Sequence, residues 1–178
     1  KYAHVTFFFN SQIEKPFLGE DRILVPSPKC PSYADKPEMS ARKVTQKLTA
    51  AIKKKAYDFI AVNYANADLV GHSGDLKAAI ECCKVLDECL EKTIPIALKN
   101  GYTILLTADH GNADEMLYEN GEAKPSHTLN PVPVLLISDK KEYKLKKNKG
   151  LQDIAPTILG LLSIKKPKIM TGESLIKK

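Results

Sequence analysis

Five side chains that bind metals or carry protons stand at or just beyond the ends of predicted strands: Asp68, His72, Asp109, His110 and His127. Asp109 and His110 follow Thr103-Ile104-Leu105-Leu106-Thr107, a run of β-formers that reads as a buried strand. Gly111 then lets the backbone turn sharply. An acid and an imidazole at the C-terminal end of a strand sit where open α/β sheets place their ligands. Asp68 and His72 are four residues apart beyond an earlier strand. A helical turn there puts both on one face. His127 precedes its strand. It reaches the same sheet edge only if that strand runs antiparallel or the loop folds back. The chain has four histidines, and three of them fall in these clusters.

Grouped this way, the residues suit two metal ions. Asp68, His72 and His127 form one ligand set, and Asp109 with His110 forms part of a second. Mixed carboxylate and imidazole ligands favour Mn²⁺ or Zn²⁺ over Mg²⁺. Two ions about 3.5–4 Å apart suit phosphoryl chemistry, because together they stabilise the attacking and leaving oxygens. The plainer alternative makes one or two of these residues caps or turn formers, since Asp and Gly are ordinary turn residues. The second set is short of ligands, which points to residues outside these 178.

The elements that must position the clusters alternate strand and helix. Ala3–Phe9 is predicted as a strand, with His4 as a hydrogen-bonded neighbour of the site. Residues 10–37 are Pro-rich and irregular, with Ile23-Leu24-Val25 as a candidate short strand. A long ordered loop of this kind is often functional. Ser40 is a candidate N-cap for a helix to about Lys55, whose face of Val44, Leu48, Ala51 and Ile52 should pack on a sheet. Asp58–Tyr64 is the next predicted strand. A long helix follows from Asp75 to about Asn100, with Pro95 expected to kink or interrupt it and Gly101 as its stop. Pro131–Ser138 is another strand. Asp153 is the expected cap of a last helix, Ile154–Leu162. The alternation predicts an α/β sandwich, with a largely parallel central sheet flanked by helices.

Composition narrows the function classes. The 178 residues suffice for one domain with a core, and the net charge is +6. Much of that charge lies in Lys140–Lys149, which reads as a solvated loop rather than a nucleic-acid surface. No apolar run approaches membrane-spanning length and no signal peptide is visible. Expected partners therefore include neither nucleic acid nor membrane. The four cysteines contain no CxxC. Cys82 and Cys89 share a helix face as small core residues, and the expected compartment is reducing and cytoplasmic. The chain starts at Lys1 and runs straight into strand-like sequence, which suggests a segment of a longer protein.

Several stretches together resemble the cofactor-independent (2,3-bisphosphoglycerate-independent) phosphoglycerate mutase family of the alkaline phosphatase superfamily. They are Lys1 through Phe9, Asn63-Tyr64-Ala65-Asn66 with Asp68 and Val70-Gly71-His72, Thr107 through Asn112, and His127 followed by Asn130-Pro131-Val132-Pro133. The likeness extends through the tail Met170 to Leu175. Asp-His-Gly alone indicates only the superfamily. The resemblance implies an alkaline-phosphatase-like fold and interconversion of 3-phosphoglycerate and 2-phosphoglycerate in glycolysis and gluconeogenesis. A serine carries the phosphoryl group, and two divalent ions, usually Mn²⁺, assist. The family's first-metal ligands match Asp68, His72 and His127, and two second-metal ligands match Asp109 and His110. A substrate-binding lysine matches Lys1. Ser11-Gln12 departs from a frequent Gly-Gly, and Ala67 from a frequent Pro. The resemblance further implies that these residues are the C-terminal segment of the metal-binding phosphatase-like domain. The serine and the inserted, arginine-bearing substrate domain then lie elsewhere, leaving the segment alone inactive and the full-length enzyme a monomer. Rival readings are another metal-dependent phosphohydrolase, phosphomutase or sulfatase of that superfamily, and a non-catalytic metal-binding relative.

Overall fold

A computed structural model describes residues 1–177. Four α-helices and two strands follow in order. They are α1 (Ala41–Lys54), α2 (Asn66–Gly71), α3 (Leu76–Lys99), β1 (Ile104–Thr107), β2 (Val134–Ile137) and α4 (Ile154–Leu161). Short helical turns occur at His4–Phe8, Tyr33–Asp35 and Leu151–Asp153. No described helix is long and apolar enough to cross a membrane.

α3 is the spine. Asp75 caps it, its carboxylate accepting from the Ala78 N–H at 2.9 Å. The helix runs through Pro95 without interruption, contrary to the expected break. Pro95 and Glu91 both face solvent, so the Glu91 carbonyl that loses its partner can turn to water. Gly101, at φ 85°, ends the helix in a Schellman motif. The Tyr102 N–H donates to the Ala97 carbonyl at 3.0 Å and the Gly101 N–H to Leu98 at 2.8 Å. β1 begins three residues later. The buried stripe of α3 includes Ala78, Ala79, Cys82, Val85 and Cys89, as the helical spacing of Cys82 and Cys89 predicts. Val70 of α2 and Met116 pack with the first three of these. Ala41 of α1 packs with Val85 and Cys89. Small side chains let these helices approach closely.

The sheet differs from the expectation. Among the described residues it has two strands, β1 and β2, paired antiparallel with Ile104 opposite Ile137 and Thr107 opposite Val134. The largely parallel central sheet is not formed. Ala3–Phe9 contains a wide helical turn instead of a strand, and Asp58–Tyr64 and Ile23–Val25 have no ladder partner among the described residues. A strand needs a neighbour to satisfy its backbone groups. These apolar stretches instead line one cavity of about 660 Å³ with Val5, Phe9, Leu24, Val44, Leu48 and Phe59 on its walls. Thus α1 turns Val44 and Leu48 toward a cavity where sheet contact was predicted.

Two cap expectations are also corrected. Ser40 precedes α1, but its hydroxyl donates to the Pro26 carbonyl at 2.6 Å and caps nothing. Asp153 precedes α4, yet its carboxylate accepts from the Glu173 N–H at 2.7 Å and the Gly150 N–H at 2.9 Å. It ties the tail to the helix start. The Thr157 hydroxyl closes the same knot, donating to the Asp153 carbonyl and accepting from the Leu175 N–H.

Those two backbone donors, Glu173 foremost, hold the buried Asp153 carboxyl below the usual carboxylate range, against the cost of burial. A carboxyl depressed by folding contributes stability above its unfolded value of about 3.9, lost as pH falls through the folded value. Asp153→Asn turns an amide NH₂ toward one donor and should cost about 1–3 kcal/mol at pH 7. In urea titrations the gap to the natural chain should narrow as pH drops below about 4. An equal gap at pH 7 and pH 3 contradicts this role.

Ser11 and Gln12 occupy left-handed backbone, at φ 54° and 66°. There glycine relieves roughly 1–2 kcal/mol of strain and returns about 0.4–1 kcal/mol through unfolded-state entropy. Gln12→Gly is therefore expected to raise the thermal midpoint, and a lowered midpoint refutes the strain.

Candidate metal centre

The antiparallel register meets the condition under which His127 joins the other clusters. Thr107 ends β1 opposite Val134, which starts β2, so the loops carrying His110 and His127 leave the same edge. A backbone bridge fastens them, with the Thr128 N–H donating to the Gly111 carbonyl at 2.9 Å. Asp68 and His72 arrive on α2. Asn66, 2% exposed, anchors that helix by donating to the carbonyls of Pro37 and Glu38. Ala67 lies in its first turn, where a backbone N–H has no intrahelical partner and the frequent proline costs nothing.

The imidazoles surround one carboxylate oxygen. Asp68 Oδ1 lies 3.2 Å from His127 Nε2, 3.3 Å from His72 Nε2 and 3.9 Å from His110 Nε2. The His110 and His127 rings stack at 3.6 Å, and the His72 and His127 centroids are 5.2 Å apart. Asp68, His110 and His127 bring ligand atoms within 4.8 Å of one another. His72 reaches the group through Asp68 and His127. Asp109 stands at the rim, half exposed, 3.4 Å from His110 Nε2. Distance therefore does not divide these residues into the two expected sets. His110 adjoins both. His4 lies beside the site without the expected hydrogen bond, its ring edge-on to Phe8 at 5.8 Å. Burial, then the Lys1 charge, holds the His4 pKa below its ordinary value.

Two further groups set the charge on Asp68. Lys1 Nζ is 2.6 Å from Oδ2, and Asn112 Nδ2 donates to Oδ1 at 3.0 Å. Burial works against the carboxylate, but the Lys1 ammonium, with help from the Asn112 amide, outweighs it and keeps the pKa low. Asn112 is 5% exposed and escaped the sequence reading as a site residue. Its signals were its position two residues after His110 and its place at the end of the Thr107–Asn112 stretch that carries the resemblance.

The donor set fits a divalent cation. His72 Nδ1 lies 2.8 Å from the Pro125 carbonyl, which only accepts, so Nδ1 carries the proton. In the neutral ring Nε2 then turns a lone pair toward Asp68 Oδ1, also a lone-pair atom. A cation between them resolves that opposition. Imidazole held by a backbone carbonyl on its far nitrogen is the usual arrangement of a metal-ligating histidine.

Residues 1–166 match the metalloenzyme superfamily. The 2,3-bisphosphoglycerate-independent phosphoglycerate mutase of Parabacteroides distasonis is 52% identical over 177 residues, covering 99% of this chain and 35% of that protein. The protein of the same name from Desulforudis audaxviator is 52% identical over 176 residues, covering 99% and 34%. Among solved structures, a Leishmania mexicana phosphoglycerate mutase at low cobalt concentration aligns with TM-score 0.90 and 30% identity, over 99% of this chain and 35% of that one. The chain spans about a third of the length of the curated relatives it matches.

Gly71 gives Asn112 its place, because a Cβ there would lie 2.3 Å from Asn112 Oδ1. Gly71→Ala should destabilise by about 1–3 kcal/mol through overpacking. In a double-mutant cycle Asn112→Ala should remove most of that penalty, and strictly additive costs contradict the contact.

Proposed function

The chain belongs to the metalloenzyme superfamily, and from that premise we propose that it is part of a 2,3-bisphosphoglycerate-independent phosphoglycerate mutase. In this reading residues 1–178 form the C-terminal segment of a phosphatase-like domain. The largely parallel sheet of an alkaline-phosphatase-like fold is completed by segments outside them. The reaction interconverts 3-phosphoglycerate and 2-phosphoglycerate, through a serine also outside these residues. The observation that carries the proposal is the single carboxylate oxygen of Asp68 faced by three imidazoles, in a chain about half identical to proteins of that name.

Asp68, His72 and His127 would hold one divalent ion, and Asp109 and His110 would help hold a second; mixed acid and imidazole ligands suit Mn²⁺ or Zn²⁺, and the family resemblance favours Mn²⁺. When bound, such ions supply charge stabilisation to phosphoryl oxygens. The chain's own residues bind and orient. Lys1 brings an ammonium with three donors to the edge of the site and would pair with the substrate's anionic groups. Asn112 holds Asp68 Oδ1 in place, and the Pro125 carbonyl keeps the His72 proton on Nδ1. The full-length protein would act as a monomer in the cytoplasm, without nucleic-acid or membrane partners.

An assay for 2-phosphoglycerate formed from 3-phosphoglycerate tests this reading. The natural full-length protein, stripped of metal and resupplied with Mn²⁺, should turn over without added 2,3-bisphosphoglycerate. The purified 178-residue chain should not, because covalent transfer needs its nucleophile. Turnover by the 178-residue chain, or none by the full-length protein with Mn²⁺, would overturn it.

A further inference from the structure

His127 is delivered by an exposed segment. Between Met116 and Asp153, Thr128 is the one buried residue, 7% exposed, while His127, Leu129 and Asn130 face solvent. Beyond its backbone bond to Gly111, this anchor depends on one carboxylate. Asp114 Oδ2 accepts from the Thr128 hydroxyl at 2.9 Å and from Asn130 Nδ2 at 2.7 Å. The fit is close, for a Cβ on Gly111 would lie 2.1 Å from Thr128 Oγ1 and 2.7 Å from Asp114 Oδ1. The same segment supplies the Pro125 carbonyl that orients His72.

We propose that Asp114 is a positioning residue that clamps residues 125–130 through Thr128 and Asn130 and so sets both His127 and His72 against Asp68. The inference rests on the reading of those three residues as metal ligands and adds to it a group that touches none of them. Asn130, more than Thr128, holds the Asp114 carboxyl below the usual range, so the clamp is charged at neutral pH. Its two bonds are of the charge-assisted kind, stronger than neutral ones. One carboxylate gripping residues 128 and 130 fixes the backbone on the C-terminal side of His127, while the bond from His72 engages residue 125 on the other. Loss of Asp114 frees the first attachment and loosens the second.

The test is calorimetric titration of Mn²⁺ into the metal-stripped natural full-length protein and its Asp114→Ala, Asp114→Asn, Asn130→Ala and His127→Ala variants. The thermal midpoint of each metal-free form is measured alongside. Asp114→Ala should weaken Mn²⁺ binding by about 10–100-fold, the usual cost of losing a group that orients ligands. Asp114→Asn and Asn130→Ala should fall between it and the natural protein. Metal-free midpoints should stay close to the natural value, and activity lost at limiting Mn²⁺ should return at saturating Mn²⁺. Unchanged affinity in Asp114→Ala and Asn130→Ala, with affinity lost in His127→Ala, overturns the clamp and leaves the ligand reading intact. Affinity that falls only in step with the metal-free midpoint assigns Asp114 to the fold and also overturns it. Unchanged affinity in His127→Ala removes the ligand reading and the clamp with it. If Asp114→Ala fails to fold, the two milder variants decide by the same criteria.

Discussion

The site depends on the half-buried carboxylate of Asp68, which must stay ionised amid groups that cannot all satisfy it. Burial disfavours its charge, and Lys1 at 2.6 Å supplies the compensating cation on one oxygen. On the other oxygen only Asn112 is an unambiguous donor. The three imidazole nitrogens around that oxygen form a favourable set only with positive charge among them. Buried charges persist where they are paired or ligate a cation, and this one is arranged for both.

The fold serves that carboxylate through close approaches rather than a large core. α2 packs on the small-residue stripe of α3 through Val70, and Gly71 leaves room for Asn112. The Schellman stop at Gly101 sends the chain into β1, and the antiparallel partner β2 returns the His127 segment to the end of β1. At Gly111 the two loops touch so closely that no side chain fits between them. Each of these joints brings one ligand-bearing segment within reach of Asp68, and none of them involves a parallel strand.

Type and spacing singled out Asp68 together with His72, His110 and His127, whose imidazoles the structure brings within 3.9 Å of Asp68 Oδ1, whereas Lys1 entered only through the family resemblance. The i, i+4 pair Asp68 and His72 needed only a helical turn, and α2 provides it. The strand before Asp109 and His110 was legible because Thr103–Thr107 has a partner within the chain. Ala3–Phe9 and Asp58–Tyr64 are also rich in β-formers but find none among the described residues, since β propensity expresses fit to a pleated neighbour rather than a backbone preference. The roles of Ser40 and Asp153 were not legible, because a polar side chain before a helix can serve a distant backbone group as well as its own helix. Asn112 and Asp114 escaped notice for a related reason. Their work is defined by segments 44 and 14–16 residues away, which no local pattern records.

Histidine ring nitrogen NMR tests the central claim most directly, that Asp68, His72 and His127 enclose a cation site. The natural full-length protein, labelled with ¹⁵N-histidine and stripped of metal, would be titrated with diamagnetic Zn²⁺, which takes the same acid and imidazole ligands. The account predicts that the Nε2 resonances of His72 and His127 shift on binding, that His72 Nδ1 remains protonated against Pro125, and that His4 does not respond. Saturable Zn²⁺ binding that leaves both Nε2 resonances unmoved would contradict it.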